Sequence, residues 1–284
     1  MSASDRRKRS TSKSTSARRG TGRQRSREAA GSCSRHLFQN WENAARRLRA
    51  ARRIALFLDF DGTLAPIRHR PEHVLLPSMI RRVLKRLSRR RDVRIVIISG
   101  RRAADVRSRV RIRGVTYIGL HGWERGGRTQ SPEAHRFIDR LRREVERRLR
   151  GLGEIWVEDK FISFVVHYRR ASPPAVRQAR ESLHDVIAPH GVKLRVMNGA
   201  KAWEVLPSEV KGKGEAVLEL LKELKTPAFA VYAGDDTTDE EAFRVLLNGL
   251  TVRVGAPRRT HAQYELRNVD EVCQFLEKLE AEIS

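Results

Sequence analysis

Asp59 and Asp61 interrupt the stretch "IALFLDFDGTLAPI" where an apolar run ends. A buried carboxylate costs several kcal/mol unless it is paired or holds a metal. Residues i and i+2 of an extended strand point the same way, so both carboxylates can reach one point. Gly62 permits the turn that follows. A second apolar run, "AFAVYAGDD", ends in Asp235 and Asp236, either of which could bring a third carboxylate. Clustered carboxylates repel and need a cation. An all-oxygen donor set favours Mg2+, which commonly binds substrate phosphate as well.

The other polar groups suit a phosphate. Ser99 ends a further apolar run and Gly100 is expected to open a helix, so a hydroxyl and helix N-terminal amides would make an anion site. Lys213, at the start of another predicted helix, can neutralise phosphate charge. An aspartate nucleophile, an acid/base, a hydroxyl, a lysine and Mg2+ together describe phosphoryl transfer through an aspartyl-phosphate. Helix capping explains less. Ser is a favoured cap, and Thr238 with Glu241 fits a capping box. Yet polar signatures close three apolar runs: "DFDGT", "ISGR" and "GDDTTDE". Asp239 and Glu240 are expected to be mainly structural. Residues 235–240 lack the Gly and Glu of an EF-hand loop, and "KGKGEA" lacks the P-loop pattern.

Such a site needs strands that end together. From residue 54, apolar strands (54–60, 93–99, 115–122) alternate with helical stretches (78–90, 100–110). Continuous apolar strands between helices argue a parallel sheet covered on both faces. Ligands of such sheets bind beyond the carboxyl ends of the strands. The middle differs. Residues 154–169 alternate as a hairpin around Asp159 and Lys160, helices are predicted at 132–150 and 173–189, and two more strand-like runs follow. A helix at 213–224, a strand at 228–236, the helix "EEAFRVLLN" and the strand "TVRVG" complete the pattern. The expected class is α/β: a Rossmann-like parallel-sheet core from 36–124 and 205–284, with an inserted α+β cap over 125–204.

The 284 residues carry a formal net charge of +25, which points to polyanions or phosphorylated substrates. Residues 1–35 hold eleven Lys and Arg against Asp5 and Glu28, about nine net charges, with few large apolar residues. This segment is expected to be a disordered basic tail able to contact polyanions. About sixteen charges remain on the rest, much of it in Arg-rich helical stretches such as 80–92 and 136–150 whose arginines fall on solvated faces. Aromatic residues are 6%, with no interleaved basic and aromatic strip to stack bases, so a nucleic-acid-binding protein on a phosphatase-like fold is the weaker reading. Cys33 and Cys273 form no disulfide framework, no apolar run reaches membrane-span length, and the N-terminus lacks a secretory h-region. A cytoplasmic protein is expected.

"DFDGT", "ISGR", Lys213 and "GDD" resemble the four motifs of the haloacid dehalogenase superfamily of phosphatases. The resemblance sharpens to the trehalose-6-phosphate phosphatases over residues 54–280, through "DFDGTLAPI", "IISGR", "YIGLHGWE", "VEDKFISFVVHYR", "WEVLP", "KGKGEAV", "GDDTTDEEAF" and "THAQYEL". It implies Asp59 as nucleophile, Asp61 as acid/base and Lys213 as the catalytic lysine. It further implies Mg2+ held by Asp59, the Asp61 carbonyl and Asp235, with Asp236 close by. Gly62, Thr63, Ser99, Gly100, Arg101 and Lys213 are the candidate phosphate-binding set. Glu158, Lys160, His167, Arg169 and Glu204 of the cap, with His121, are the candidate sugar contacts. The implied reaction is Mg-dependent hydrolysis of trehalose 6-phosphate by a monomer, with no specific nucleic-acid or membrane partner; another sugar phosphate is the alternative substrate. Two positions depart from the family pattern: Leu120 where Asn is commoner, and "VKGKGEA", where Lys211 and Lys213 compete and the register of Gly214 and Ala216 selects Lys213.

Overall fold

A computed structural model of the chain describes residues 34–283 apart from 69, 126–127, 130–131, 200 and 211. The basic segment up to residue 33, and Lys211, lie outside the described residues. The core is one nine-stranded sheet, in spatial order β1 (Arg35–His36), β13 (Tyr264–Leu266), β12 (Leu250–Val254), β11 (Phe229–Gly234), β2 (Ile54–Leu58), β3 (Val93–Ile98), β4 (Thr116–Gly119), β5 (Glu124–Arg125) and β6 (Arg128–Thr129). β1 to β4 in that order are parallel, and β5 and β6 add an antiparallel hairpin at the edge.

β2 shows why its sequence is continuously apolar. Ile54, Leu56 and Leu58 pack into one layer with α1 (Trp41–Arg49), α2 (Ser78–Leu87), α3 (Ala103–Val110) and α8 (Val269–Glu282). Ala55 and Phe57 pack into the other with α6 (Lys213–Glu223) and α7 (Asp239–Val245). All five residues are buried, and each fully buried aliphatic side chain contributes about 1.5–3 kcal/mol. The Asp59 N–H then donates to the Ala233 carbonyl of β11 at 2.9 Å, which locks the end of β2 beside the end of its neighbour.

The insertion forms a four-stranded antiparallel sheet, β7 (Trp156–Asp159), β8 (Phe164–His167), β10 (Ala202–Pro207) and β9 (Leu194–Gly199) in spatial order. Phe164, Val166, Trp203 and Val205 pack against α4 (Pro132–Leu149) and α5 (Pro173–Ile187). Strand alternation sends Glu158, His167 and Glu204 to the opposite face.

The α/β class with a parallel core holds. Several boundaries differ from the sequence reading. Arg35, assigned to the tail, pairs with Tyr264 in β1. The hairpin at 124–129 extends the core sheet, and β10 runs on to Pro207, so the inserted module spans 132–207 rather than 125–204. The helix expected at Gly100 begins at Ala103, because residues 100–102 turn across the strand end. α1, α8 and β13 were not apparent from spacing alone.

Candidate active site

The ends of β2, β3 and β11 meet at one edge of the core sheet, and Lys213 reaches them from the first turn of α6. Lys213 Nζ lies 2.6 Å from Asp59 Oδ1 and 2.7 Å from Asp239 Oδ1, with all three residues buried. The Tyr232 hydroxyl donates to the same Asp239 oxygen at 2.7 Å, and the Asp236 N–H donates to the other at 2.9 Å. Burial pushes the Asp59 carboxyl well up, Lys213 pulls it back, and Asp239 and Asp235 push it up again. Burial alone would lower Lys213, but Asp239 and Asp59 outweigh it and hold the ammonium charged.

Asp59, Asp235 and Asp239 offer oxygens within 4.8 Å of one another. Burial first, and Asp239 next, push the Asp235 carboxyl up to about 6. Three carboxylates against one ammonium leave negative charge in a dry place, and a divalent cation with oxygen preference fits that donor set. Gly62, with φ +84°, lies against the Asp235 carboxylate, where a methyl group would collide with it. The glycine is therefore needed both for its turn and for the close approach.

The expected residues divide. Asp59, Asp61, Ser99, Gly100, Arg101, His121, Glu158, Lys160, Lys213 and Asp236 line one cleft of about 640 Å3 between core and cap. That volume falls in the range of small-ligand sites. Thr63, expected at phosphate, donates to Asp235 Oδ1 at 3.0 Å instead. Asp236, expected beside the metal, is exposed, and its Oδ1 accepts from the Thr237 N–H at 2.7 Å. Asp239, expected to be structural, takes the inner place. It follows Asp235 by four residues, one helical turn, which was the available signal. Arg101 grips Asp61 through Nε at 2.6 Å and Nη2 at 2.7 Å.

His121 packs its ring on Gly100, 2.7 Å from where a methyl group would sit. Burial, with help from Lys213 and Lys160, pushes its imidazole down to about 3, so it is neutral at pH 7. On the cap, His167 Nε2 pairs with Glu158 Oε2 at 2.8 Å, and its ring stacks on the exposed Trp156 at 3.9 Å. Ser163 donates to Glu204 at 2.7 Å, with Lys160 Nζ 3.7 Å from the same carboxylate. Glu204 lines a small cavity behind the cleft, and His167 and Arg169 stand outside both. Sequence reasoning missed Arg68, Arg102, Asp159 and Phe161 on the cleft wall. Phe161, at φ +72°, is stacked on His135 at 3.9 Å and lies under the Arg102 guanidinium at 4.4 Å. This contact ties the β7–β8 loop to the core.

A parallel sheet with an Asp-x-Asp motif at the end of β2, a buried lysine and an acidic third strand end, roofed by an inserted cap, defines a haloacid dehalogenase-type phosphatase. The family model for trehalose-phosphatase matches residues 57–270, and the chain belongs to that family. It is 31% identical over 267 residues to trehalose-phosphate phosphatase B of Arabidopsis thaliana, covering 86% of this chain and 70% of the relative. It is 36% identical over 262 residues to a Mycobacterium tuberculosis protein named an uncharacterized glycosyl hydrolase; the match covers 84% of this chain and 19% of that protein's length. Among solved structures, trehalose-6-phosphate phosphatase of Aspergillus fumigatus superposes with a TM-score of 0.67 at 26% identity, covering 87% of this chain and 99% of the other.

Proposed function

We propose that this chain hydrolyses trehalose 6-phosphate to trehalose and phosphate through an aspartyl-phosphate on Asp59. The observation that carries the reading is the buried Asp59–Lys213 pair at the floor of a cleft whose far wall is the polar cap loop. An Asp59 oxygen attacks phosphorus while Asp61 protonates the departing sugar oxygen. Asp61 then takes a proton from the water that cleaves the acyl-phosphate and restores Asp59. The Lys213 ammonium offsets charge on the phosphoryl oxygens, and Ser99 with the amides after it binds them. Asp59, Asp235 and the Asp61 carbonyl would hold Mg2+, which supplies further positive charge toward the transferring group. Asp239 positions Lys213, and Tyr232 positions Asp239.

The cap residues Glu158, Lys160, His167, Arg169 and Glu204, with His121, are assigned to the sugar hydroxyls, which charged side chains can grip at two points. His167, Arg169 and Glu204 reach the sugar only if the cap closes further over the cleft. Phosphate release from trehalose 6-phosphate, glucose 6-phosphate, sucrose 6-phosphate and an aryl phosphate, with and without EDTA and beside Asp59→Asn, tests the reading. Strong preference for the first, lost with EDTA and in the variant, is expected. Equal rates on all four would leave the aspartate chemistry and remove the substrate assignment.

A further inference from the structure

The parallel strands start on the edge of the sheet opposite the cleft, and that edge is basic. Arg52 and Arg53 precede β2, Arg91 and Arg94 flank the start of β3, Arg113 precedes β4 and Lys225 precedes β11. All six are exposed, and none forms an ion pair with a described acid. The nearby acids are engaged elsewhere: Asp92 by Arg90 at 2.8 Å and Glu280 by Arg86 at 2.6 Å. Glu223 is taken by Arg125.

The edge is a rigid ledge rather than a set of loose loops. Ile54 lies opposite both Val93 and Phe229. The Ile54 N–H donates to the Asp92 carbonyl and the Phe229 N–H to the Arg53 carbonyl, each at 2.8 Å. With strands about 4.8 Å apart, four neighbouring strand starts hold these cations within roughly 14 Å. β1 starts on the same edge.

We propose that this edge docks double-stranded nucleic acid through its phosphates, without reading sequence. A row of five guanidinium groups and one ammonium, none in an ion pair with a described acid, matches a polymer of closely spaced phosphates, which each guanidinium can grip at two points. Among the described residues the exposed Phe, Trp or Tyr is Trp156, on the cap, so the edge has no platform on which single-stranded bases could stack. Val245 and Leu247, before β12, are exposed, and two apolar side chains fall short of the apolar face by which helices lie in a membrane. The phosphatase chemistry uses none of these residues, so the two readings stand or fall separately.

The test is fluorescence anisotropy of the full chain with a labelled random duplex of about 30 base pairs over a range of salt. Affinity should fall linearly with salt on logarithmic axes. Arg53→Glu with Arg113→Glu should weaken binding at least about tenfold at fixed salt. Arg177→Glu with Arg180→Glu on the cap makes the same change in net charge and should have little effect. Both double variants should keep their melting transition and turnover; if the first does not, Arg52→Glu with Lys225→Glu replaces it. Equal weakening by the edge and cap variants would overturn the proposal, since net charge or the N-terminal segment would then account for binding. Co-sedimentation with anionic phospholipid vesicles but no duplex binding would overturn it as well.

Discussion

Both carboxylate oxygens of Asp61 are held by Arg101, Nε to Oδ2 at 2.6 Å and Nη2 to Oδ1 at 2.7 Å, while Asp105 holds the same guanidinium from behind at 3.1 Å. Arg101 stands two residues past the Ser99 strand end, where phosphate contact was expected. Its partner here is the residue assigned to proton transfer. The two-point grip fixes the direction in which Asp61 faces the cleft and leaves each oxygen a further lone pair for a substrate.

Arg101→Gln should therefore lower kcat by about 10–100-fold, the worth of a charge-assisted two-point contact. In an Asp61→Asn background the same change should cost less than about threefold, because the contact is already gone. Steady-state rates of the four proteins close the cycle. Equal losses in both backgrounds would show that Arg101 acts on substrate directly.

Lys213→Met removes the cation between Asp59 and Asp239. Two buried carboxylates are then left facing each other, which should cost about 3–5 kcal/mol in urea unfolding and at least about a thousandfold in kcat. Added Mg2+ should return part of the lost stability but not the rate. Unchanged stability would mean that the ion pairs at 2.6 and 2.7 Å contribute little net energy.

Proton and cation binding should compete at Asp235. Its carboxyl is raised to about 6 by burial first and then by Asp239. Between about pH 4 and 6 the folded chain holds a proton there that the unfolded chain does not. The metal-free protein therefore loses this contribution to stability as pH rises through that window, and bound Mg2+ reverses the trend. The rise in Tm on adding Mg2+ should be small near pH 5 and larger near pH 7.5. Asp235→Asn should flatten it. An effect of equal size at both pH values would place the cation elsewhere.

Leu120 is a left-handed residue, φ +51°, and is buried. It packs with Trp123 of the core and with Ala134, Ile162, Leu206 and Val210 from or beside the cap. A left-handed leucine carries about 1–2 kcal/mol of strain, which this apolar seam offsets. Leu120→Ala should destabilise by about 2–4 kcal/mol in denaturant, since it opens a cavity and keeps the strain. Leu120→Gly, which relieves the backbone, should be the milder change per atom removed. The reverse order would mean that the seam is loose.

The carboxylate pair was legible as a motif closing an apolar run, and both residues line the cleft, but β2 ends at Leu58 and Asp61 lies in the turn beyond it, so strand alternation does not set their directions. The cap face was legible because strand alternation is local: Glu158 and Glu204 alternate with the apolar residues that anchor their strands. Helix starts were less so. Gly100 to Arg102 cross the strand end before α3 begins, and no local period encodes that turn.

The amino-acid sequence by itself determined the α/β alternation, the inserted module, the strand that ends in Asp59 and the family. Those depend on period-two and helical spacing and on short motifs, which are properties of neighbouring residues. Only the tertiary structure decided that Asp239 rather than Asp236 takes the inner place against Lys213, that Arg101 holds Asp61, and that the basic strand starts share one edge. Each of these joins residues far apart in the chain, and side-chain direction at the end of a helix or strand is set by what packs against it.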